Sequence, residues 1–273
     1  MTPIHPSAIV DSGAELDPTV EVGPFSIIEG PVKISAGTRI LSHVHISGNT
    51  TIGRDNEIHM GAIIGHVPQH KAYKPGSSGV VIGDRNVIRE YASIHRAYHD
   101  GHNTMIGDDN FLMGYSHVAH DCQVGNGIVL ANGALLAGHS HVADLANISG
   151  NVAVHQFVRI GRLAMIGGLA RVAKDVPPFM LVEGNSTVRG MNTVGLRRAG
   201  YQLPVRTKIK EAYRLLYRSG LNVPQAVEQI QSQFGDVDAI RELVDFIKAS
   251  VRGICKHAPV MHSLMLQEAE DEG

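Results

Sequence analysis

The sequence predicts a mainly β fold, a parallel β-helix of hexapeptide repeats over residues 1–188 that is followed by an α-helical domain over residues 189–273. Two observations predict this organisation. An aliphatic residue recurs at every sixth position through two thirds of the chain, and the remainder carries apolar residues at helical spacing. The content of 30 glycines fits a chain that must turn once in every repeat.

The six-residue period starts near the N-terminus. Aliphatic residues occupy every sixth position from Ile4 to Ile64, from Ile82 to Ile94 and from Ile106 to Val172, and a small residue usually follows four positions later. We expect both positions to point inward. A period of six fits short strands joined by tight turns better than a helix or a flat strand. If three repeats form one coil, residues 18 apart lie above one another at roughly 4.8 Å, the spacing of paired strands.

Two segments interrupt the period, residues 65–81 and residues 97–103. We interpret both as loops that project from the coil. Because insertions in repeat proteins collect on the binding face, we expect the first loop to have a functional role.

Helical spacing replaces the hexads after Pro177 and Pro178. It predicts three amphipathic helices, whose apolar stripes are Val205, Ile209, Ala212 and Leu216; Val223, Val227, Ile230 and Phe234; and Ile240, Leu243, Ile247 and Val251. Asn222 and Gln225 resemble a capping box, and Gly220 and Gly235 stand where helices should end.

Composition excludes several classes of protein. The chain is 43% hydrophobic and 18% charged with a formal net charge of -2, which argues against disorder and against general nucleic-acid binding. No apolar run approaches the roughly 20 residues of a membrane span, and the N-terminus does not resemble a secretion signal. Two cysteines, Cys122 and Cys255, fit a reducing compartment, so we expect a cytoplasmic protein. Cys122 falls at an inward position, where we expect packing.

Stacking gathers polar side chains on one side of the coil. Spacing of 18 residues places His120, Gly138 and Gln156 in one column, with Asp121, His139 and His155 in the columns beside it and His117 just upstream. None holds an inward position, so we expect these histidines to lie on the outside of the coil and not to be buried. Gly138 is expected to leave room for a ligand above His120.

Two chemistries suit this patch. A carboxylate beside an imidazole raises its basicity and fixes its tautomer, which is a general-base arrangement. A zinc site built from His117, His120, His139 and His155 is the competing interpretation. Because Asp121 and Gln156 suit hydroxyl recognition and proton transfer, we predict a base and no metal or other cofactor.

Longer motifs identify a family. The strings IGDRNVIREYASIHR, HVAHDCQVGN, LLAGH, NVAVHQF, DVPPF, GLRRAGY and AYRLLYRSG resemble the bacterial UDP-N-acetylglucosamine O-acyltransferase family along essentially the whole chain. The resemblance implies a left-handed β-helix that forms a homotrimer with active sites between subunits. It also implies transfer of a 3-hydroxyacyl group from acyl carrier protein to the 3-hydroxyl of UDP-N-acetylglucosamine, the first step of lipid A synthesis, without a covalent intermediate.

The resemblance further implies roles for individual residues. His120 would be the general base and Asp121 its partner, and the backbone near Gly138 would stabilise the oxyanion. Gly168, in MIGGLARV, would lie at the far end of the acyl groove. The remaining residues implied to bind substrate are Gln69, His117, His139, His155, Gln156, Asn192 and Arg198.

A basic segment is consistent with the acidic carrier protein. Residues 189–218 contain eight basic residues against one acid, Glu211, a local excess of seven positive charges. Such a surface would steer an acyl carrier protein toward the site. Nucleotide phosphates, or solvent alone, are the other interpretations of this surface.

The chain departs from the family where the sugar nucleotide is bound. His70 and Ala72 replace the usual residues after Gln69, and Val194 stands where an acid is common. N-acyl transfer to a 3-amino UDP-sugar is therefore an alternative activity, and a zinc hydratase of the same fold is a more distant one. We favour the hydroxyl acceptor, because His70 leaves the sugar pocket without a negative charge that a cationic amine would need.

Overall fold

The computed structural model describes residues 4–257, and the last part of the predicted helical domain, residues 258–273, lies outside the described residues. Each hexad forms one short strand and one turn, and three hexads form one coil. The coils stack into a three-sided prism whose sides are three sheets, called here sheets 1, 2 and 3. The predicted parallel β-helix with a helical C-terminal region is confirmed.

The three sheets are described in order of pairing. Sheet 1 contains β1 (Ile9–Val10), β4 (Ile27–Glu29), β7 (His45–Ser47), β10 (Ile63–His66), β13 (Ser93–His95), β16 (His117–Val118), β19 (Leu135–Leu136), β22 (Ala153–Val154) and β25 (Arg171–Val172). Sheet 2 contains β2 (Glu15–Leu16), β5 (Lys33–Ile34), β8 (Asn49–Ile52), β11 (Gly79–Ile82), β14 (Asn103–Ile106), β17 (Gln123–Val124), β20 (His141–Val142) and β23 (Arg159–Ile160). Sheet 3 contains β3 (Glu21–Val22), β6 (Arg39–Ile40), β9 (Glu57–Ile58), β12 (Val87–Ile88), β15 (Phe111–Leu112), β18 (Val129–Leu130), β21 (Asn147–Ile148), β24 (Met165–Ile166), β26 (Met180–Glu183), β27 (Thr187–Met191) and β28 (Lys256–His257).

The aliphatic position of the hexad fills the interior of the prism. Ile28, Ile46 and Ile64 are fully buried, as are Ser26, Thr50 and Ala62 at the small-residue position of the hexad, and this confirms the inward assignment. The first three such positions are exceptions, because Ile4 is exposed and the Val10 and Leu16 side chains that follow it are only half-buried. They belong to the first coil, which has no further coil to cover it.

Pairing shows how the insertions fit the stack. Neighbouring strands normally pair residues 18 apart, as Ile9 pairs with Ile27. Across the first insertion Asn49 pairs with Gly79, 30 apart, and across the second Val81 pairs with Met105, 24 apart. The insertions therefore add 12 and 6 residues, and the hexad register resumes after each, apart from a bulge between Ile64 and His66 where the first insertion begins. Strands extend into both predicted loops, so their non-strand parts are residues 67–78 and 97–102.

The helical region packs on the C-terminal end of the prism. It consists of α1 (Thr193–Arg198), α2 (Leu203–Arg218), α3 (Val223–Phe234) and α4 (Asp238–Lys248). The capping box at Asn222 is confirmed. Val251 was assigned wrongly to the third apolar stripe: it follows the end of α4 and is fully exposed. The spacing also missed α1, whose six residues are too few to show a helical period.

The junction between the two regions is continuous. Strand β27 crosses the predicted boundary at residue 188, reversing direction to pair antiparallel with β26. Arg162 of the coil holds Glu242 of α4, with 3.0 Å between Arg162 Nε and Glu242 Oε1. Among residues 4–257 no helix is long and apolar enough to cross a membrane.

Candidate active site

The polar patch lies on one corner of the prism, where the chain turns from sheet 1 to sheet 2; this edge is called here the histidine corner (residues 119–122, 137–140 and 155–158). Asp121, His139 and Phe157 adopt the left-handed conformation, with φ of 58°, 60° and 63°. The His139 N–H donates to the carbonyl of His120 at 3.0 Å, and the Phe157 N–H donates to the carbonyl of Gly138 at 3.1 Å. The turns are thus stacked, as a spacing of 18 residues requires.

His120 and Asp121 form a dyad. The distance from His120 Nδ1 to Asp121 Oδ2 is 2.7 Å, and the same oxygen accepts the backbone N–H of Tyr98 at 2.9 Å. Burial opposes ionisation of Asp121, yet the hydrogen bonds from His120 and Tyr98 outweigh it and lower the pKa of the carboxyl. Because a carboxylate only accepts, His120 donates from Nδ1 and keeps a lone pair on Nε2.

The imidazole of His120 occupies the space at Gly138. A Cβ at Gly138 would lie 2.6 Å from Cε1 and 2.7 Å from Nε2 of His120. The expectation that Gly138 leaves room for a ligand was therefore wrong. The missing side chain makes room for the base itself, since any larger residue would collide with the ring.

None of the four outward histidines is fully buried, as expected, but His117, His120 and His139 are half-buried and so more covered than an outward position implies, whereas His155 is exposed. The side chain of His120 is only 14% exposed, and the insertions cover this side of sheet 1. His117 bonds to Ser93, with 2.8 Å between His117 Nδ1 and Ser93 Oγ. Burial, helped by the neighbouring His95 and His120, lowers the pKa of His117 to about 4, so this ring is neutral at physiological pH.

The other histidine-corner residues are more open. The ring of His139 is stacked on Phe157 with 4.5 Å between centroids, and burial lowers its pKa. His155 and Gln156 are exposed, and His155 Nδ1 lies 3.1 Å from the carbonyl of Gln156. All the histidine-corner residues predicted from spacing are therefore brought to one edge.

Further residues surround the patch: the sequence analysis placed His70 of the first insertion in the sugar pocket but missed Tyr98, His99 and His95. The ring of His70 lies 5.7 Å from that of His120 between centroids, the ring of Tyr98 lies 5.8 Å from it, and His99 lies 6.1 Å from His139. His95, on β13, is buried 5.2 Å from His117. Gln69, which was predicted, is exposed beside His70. The aromatic content of the two interruptions was the available signal.

One group of side chains has the spacing of metal ligands. Among the described residues, His120, Asp121 and His139 have ligand atoms within 4.8 Å of one another. His117 and His155, which completed the alternative zinc site, do not belong to this group. The candidate metal ligands are thus centred on the same dyad.

Three predicted site residues lie elsewhere on the chain. Asn192, Arg198 and the divergent Val194 line a groove of about 750 Å³ on sheet 3, together with Met165 and Leu181. Asn192 caps α1 by accepting the Gly195 N–H at 2.8 Å. Gly168 lies at the turn from sheet 3 to sheet 1. One chain therefore places these residues on a different side of the prism from His120.

Cys122 behaves as expected for a packing residue. It is fully buried within the coil, and burial raises the pKa of its thiol to about 12. A thiol held in its neutral form is a poor nucleophile. The chemistry of this corner therefore falls to the histidines and Asp121.

A prism of hexapeptide coils with a His–Asp dyad on an outer corner defines a hexapeptide-repeat acyltransferase. The chain matches a model of bacterial transferase hexapeptide repeats over residues 103–138 and the model of UDP-N-acetylglucosamine O-acyltransferase domain 2 over residues 175–255. It belongs to the acyl-[acyl-carrier-protein]–UDP-N-acetylglucosamine O-acyltransferase family, and it is an enzyme of the acyltransferase class.

Individual relatives support this assignment. The O-acyltransferase of Gloeothece citriformis is 47% identical over 95% of this chain and 94% of its own length. The enzyme of Halorhodospira halophila is 47% identical over 94% of this chain and 100% of its own. The crystal structure of the Francisella novicida UDP-N-acetylglucosamine acyltransferase superimposes with a TM-score of 0.90 at 40% identity, covering 95% of this chain and 100% of that one.

Proposed function

We propose that this enzyme transfers a 3-hydroxyacyl group from acyl carrier protein to the 3-hydroxyl of UDP-N-acetylglucosamine, with His120 as general base. The main support for this role is the 2.7 Å hydrogen bond by which the Asp121 carboxylate orients the imidazole of His120. The names of the relatives supply the donor and acceptor. The family resemblance and the reduced cysteines support a cytoplasmic location.

The reaction follows from the tautomer of His120. Nε2 takes the proton from the sugar hydroxyl as its oxygen attacks the thioester carbonyl, and Asp121 stabilises the imidazolium that forms. The backbone N–H of Gly138 has no hydrogen-bond partner among residues 4–257 and can donate to the oxyanion. Collapse of the tetrahedral intermediate breaks the C–S bond, and the proton on Nε2 passes to the departing thiolate. No covalent bond to the enzyme forms.

The ring of His70 distinguishes the two candidate acceptors. His70 Nδ1 accepts the Ala72 N–H at 3.2 Å, so Nε2 of His70 carries a proton and is a hydrogen-bond donor. A donor suits the oxygen of a hydroxyl and disfavours an ammonium group. We therefore expect kcat/KM for UDP-N-acetylglucosamine to exceed that for its 3-amino analogue.

The comparison requires one acyl carrier protein thioester and two pH values, one above and one below the pKa of the amine. Product mass identifies the ester or the amide. A preference for the amino sugar of about tenfold or more at both pH values would reassign the enzyme as an N-acyltransferase.

The positions of the predicted substrate-binding residues support a homotrimer with shared sites. Asn192 and Arg198 line sheet 3, whereas His120 lies between sheets 1 and 2. In the proposed assembly a second copy brings its sheet 3 groove to the histidine corner of the first. Such a head-to-tail contact closes into a ring, and a trimer fits a three-sided subunit.

Complementation between two inactive variants tests whether neighbouring subunits share each active site. We expect His120→Ala and Arg198→Ala to be strongly impaired as separate homotrimers. Co-expressed with distinguishable tags, they should recover about a quarter of wild-type activity, because each site takes its two halves independently from two copies. Hybrid trimers that are isolated and still inactive would show that each chain carries a whole site.

We assign the basic segment 189–218 as the docking surface for acyl carrier protein, the acyl donor. Arg189 pairs with Glu183 at 3.6 Å and Lys208 pairs with Asp236 at 3.4 Å, so acids outside the segment neutralise part of its charge. Arg197, Arg198, Lys210 and Arg214 are exposed and have no acidic partner among the described residues. These four support docking of an acidic carrier protein.

We assign Gly168 to the far end of the acyl groove, where it would limit the length of the acyl chain that the enzyme accepts. A Cβ there would meet only the Gly150 carbonyl at 3.6 Å, so the turn has space for a side chain. We expect wild type to prefer a long 3-hydroxyacyl group and Gly168→Met to prefer a shorter one, each excluded methylene costing about 0.8 kcal/mol of burial.

The measurement is kcat/KM across a series of 3-hydroxyacyl carrier proteins. If the preferred length stays the same in Gly168→Met, the end of the groove lies elsewhere. The neighbouring Leu169, which is 80% exposed, would then be tested next.

A further inference from the structure

Tyr98, in the second insertion, contacts three parts of the site. Its backbone N–H donates to Asp121 Oδ2 at 2.9 Å, and its hydroxyl donates to the carbonyl of Ala72 at 3.2 Å. Its ring centroid lies 4.6 Å from that of His70 and 5.8 Å from that of His120. One residue therefore joins the catalytic dyad to the first insertion.

The first insertion is held at its two ends by other residues. At its start, His95 Nδ1 lies 2.6 Å from the carbonyl of Val67. At its end, Asp100 Oδ1 accepts the Ser77 N–H at 2.5 Å and the Ser77 hydroxyl at 2.8 Å. These contacts fix where the loop leaves and rejoins the coil, and they leave its middle unsupported.

The middle of the loop, residues 68–74, carries Gln69 and His70. Its internal hydrogen bonds shape a turn, from the His70 N–H to Pro68 and from the Tyr73 N–H to His70. Among residues 4–257, Tyr98 is the only residue outside the loop that forms a hydrogen bond with this stretch. The position of His70 above His120 therefore depends on Tyr98.

We propose that Tyr98 is a positioning residue that latches the middle of the first insertion over His120. The latch places His70 and Gln69 where the acceptor sugar meets the base. Their role with the sugar rests on the proposed function. Without the latch the loop must be ordered by the substrate, and that ordering weakens substrate binding.

Two substitutions separate the contacts. Tyr98→Phe removes only the hydroxyl, and we expect KM for UDP-N-acetylglucosamine to rise about two- to tenfold, the range for one hydrogen bond. Tyr98→Ala also removes the ring from His70, and we expect a rise of more than about tenfold. KM for acyl carrier protein and the pH profile of kcat should not change, because both variants keep the N–H that bonds Asp121.

Asp100→Ala is the matched control. It removes the two hydrogen bonds from Ser77 to Asp100, away from His70, while Asn49 Nδ2 still donates to the Ser77 carbonyl at 3.2 Å. We expect KM for the nucleotide sugar to stay near wild type. A loss confined to kcat in the Tyr98 variants, or the same rise in KM in Asp100→Ala, would overturn the latch.

Trypsin provides a readout that needs no activity. Lys71 is exposed, and Lys74 is followed by Pro75, which blocks cleavage, so Lys71 is the trypsin site in this loop. We expect cleavage after Lys71 to be faster in Tyr98→Ala than in wild type or Asp100→Ala without substrate. Equal rates together with an unchanged KM would refute the proposal. A wild-type enzyme that acylates no UDP-sugar would refute the proposed function instead, and cleavage would still decide the latch.

Discussion

Replacing His120 by alanine is expected to lower kcat by about 10²- to 10⁴-fold, the range for loss of a general base. The imidazole is the group that Asp121 orients at 2.7 Å, and no neighbouring ring has the same hydrogen bond in the described part of the chain. Its loss leaves the nearly buried Asp121 carboxylate without one hydrogen bond, so the melting temperature should fall modestly, while the interior of the coil, which His120 does not fill, keeps the protein folded. Steady-state kinetics at saturating substrate with a thermal melt measures both.

His141→Ala is the control for this experiment. His141 is exposed on β20 of sheet 2, outside the histidine corner, and its loss should leave kcat unchanged. Near-full activity in His120→Ala would refute the general base. Activity of that variant that returns with added zinc, or zinc bound stoichiometrically to the pure wild type, would favour a metal on His120, Asp121 and His139.

Gly138→Ala is expected to lower kcat by about 10²-fold, the loss that a misplacement of 1 Å can cause. The new methyl group would lie 2.6 Å from the imidazole of His120, so the ring must move away from the position that Asp121 sets. The main chain at residue 138 does not need the left-handed conformation. Gly138→Ala should therefore displace the imidazole of His120 without straining the main chain of the turn.

Gly190→Ala controls for the loss of a glycine. A Cβ at Gly190 meets nothing within 4 Å, and this variant should match wild type in stability and kcat. If Gly138→Ala keeps wild-type kcat while a structure shows the ring displaced, the orientation of His120 does not limit the rate.

The sequence by itself determined the coil. Every hexad makes the same local turn, so one register fixes which residues point inward and which lie above one another. The columns that join His120 to Gly138 and Asp121 to His139 followed from a spacing of 18, and the backbone hydrogen bonds between these turns show the stacking. Capping chemistry at Asn222 was equally local and equally readable.

Spacing could not determine side-chain rotamers. It placed Gly138 above His120 but did not show that the imidazole turns into that space, because rotamers depend on the neighbours that pack around them. The spacing also predicted that the histidines lie on the outside of the coil, but it did not show that other residues cover them. His95, for example, is buried beside the first insertion, whose Val67 carbonyl lies 2.6 Å from His95 Nδ1, and the insertions carry no period.

Only the tertiary structure decided what surrounds the dyad and which side of the prism each residue occupies. Tyr98 and His70 reach His120 through hydrogen bonds between two loops, and such contacts have no fixed sequence separation. Asn192 and Arg198 lie on sheet 3 because β27 reverses direction against β26, which ends the repeat. A periodic pattern specifies position only while each repeat copies the last. It therefore placed His120, Gly138 and His139, whereas the residues of the insertions and of the segment after the last repeat could be placed only by the tertiary structure.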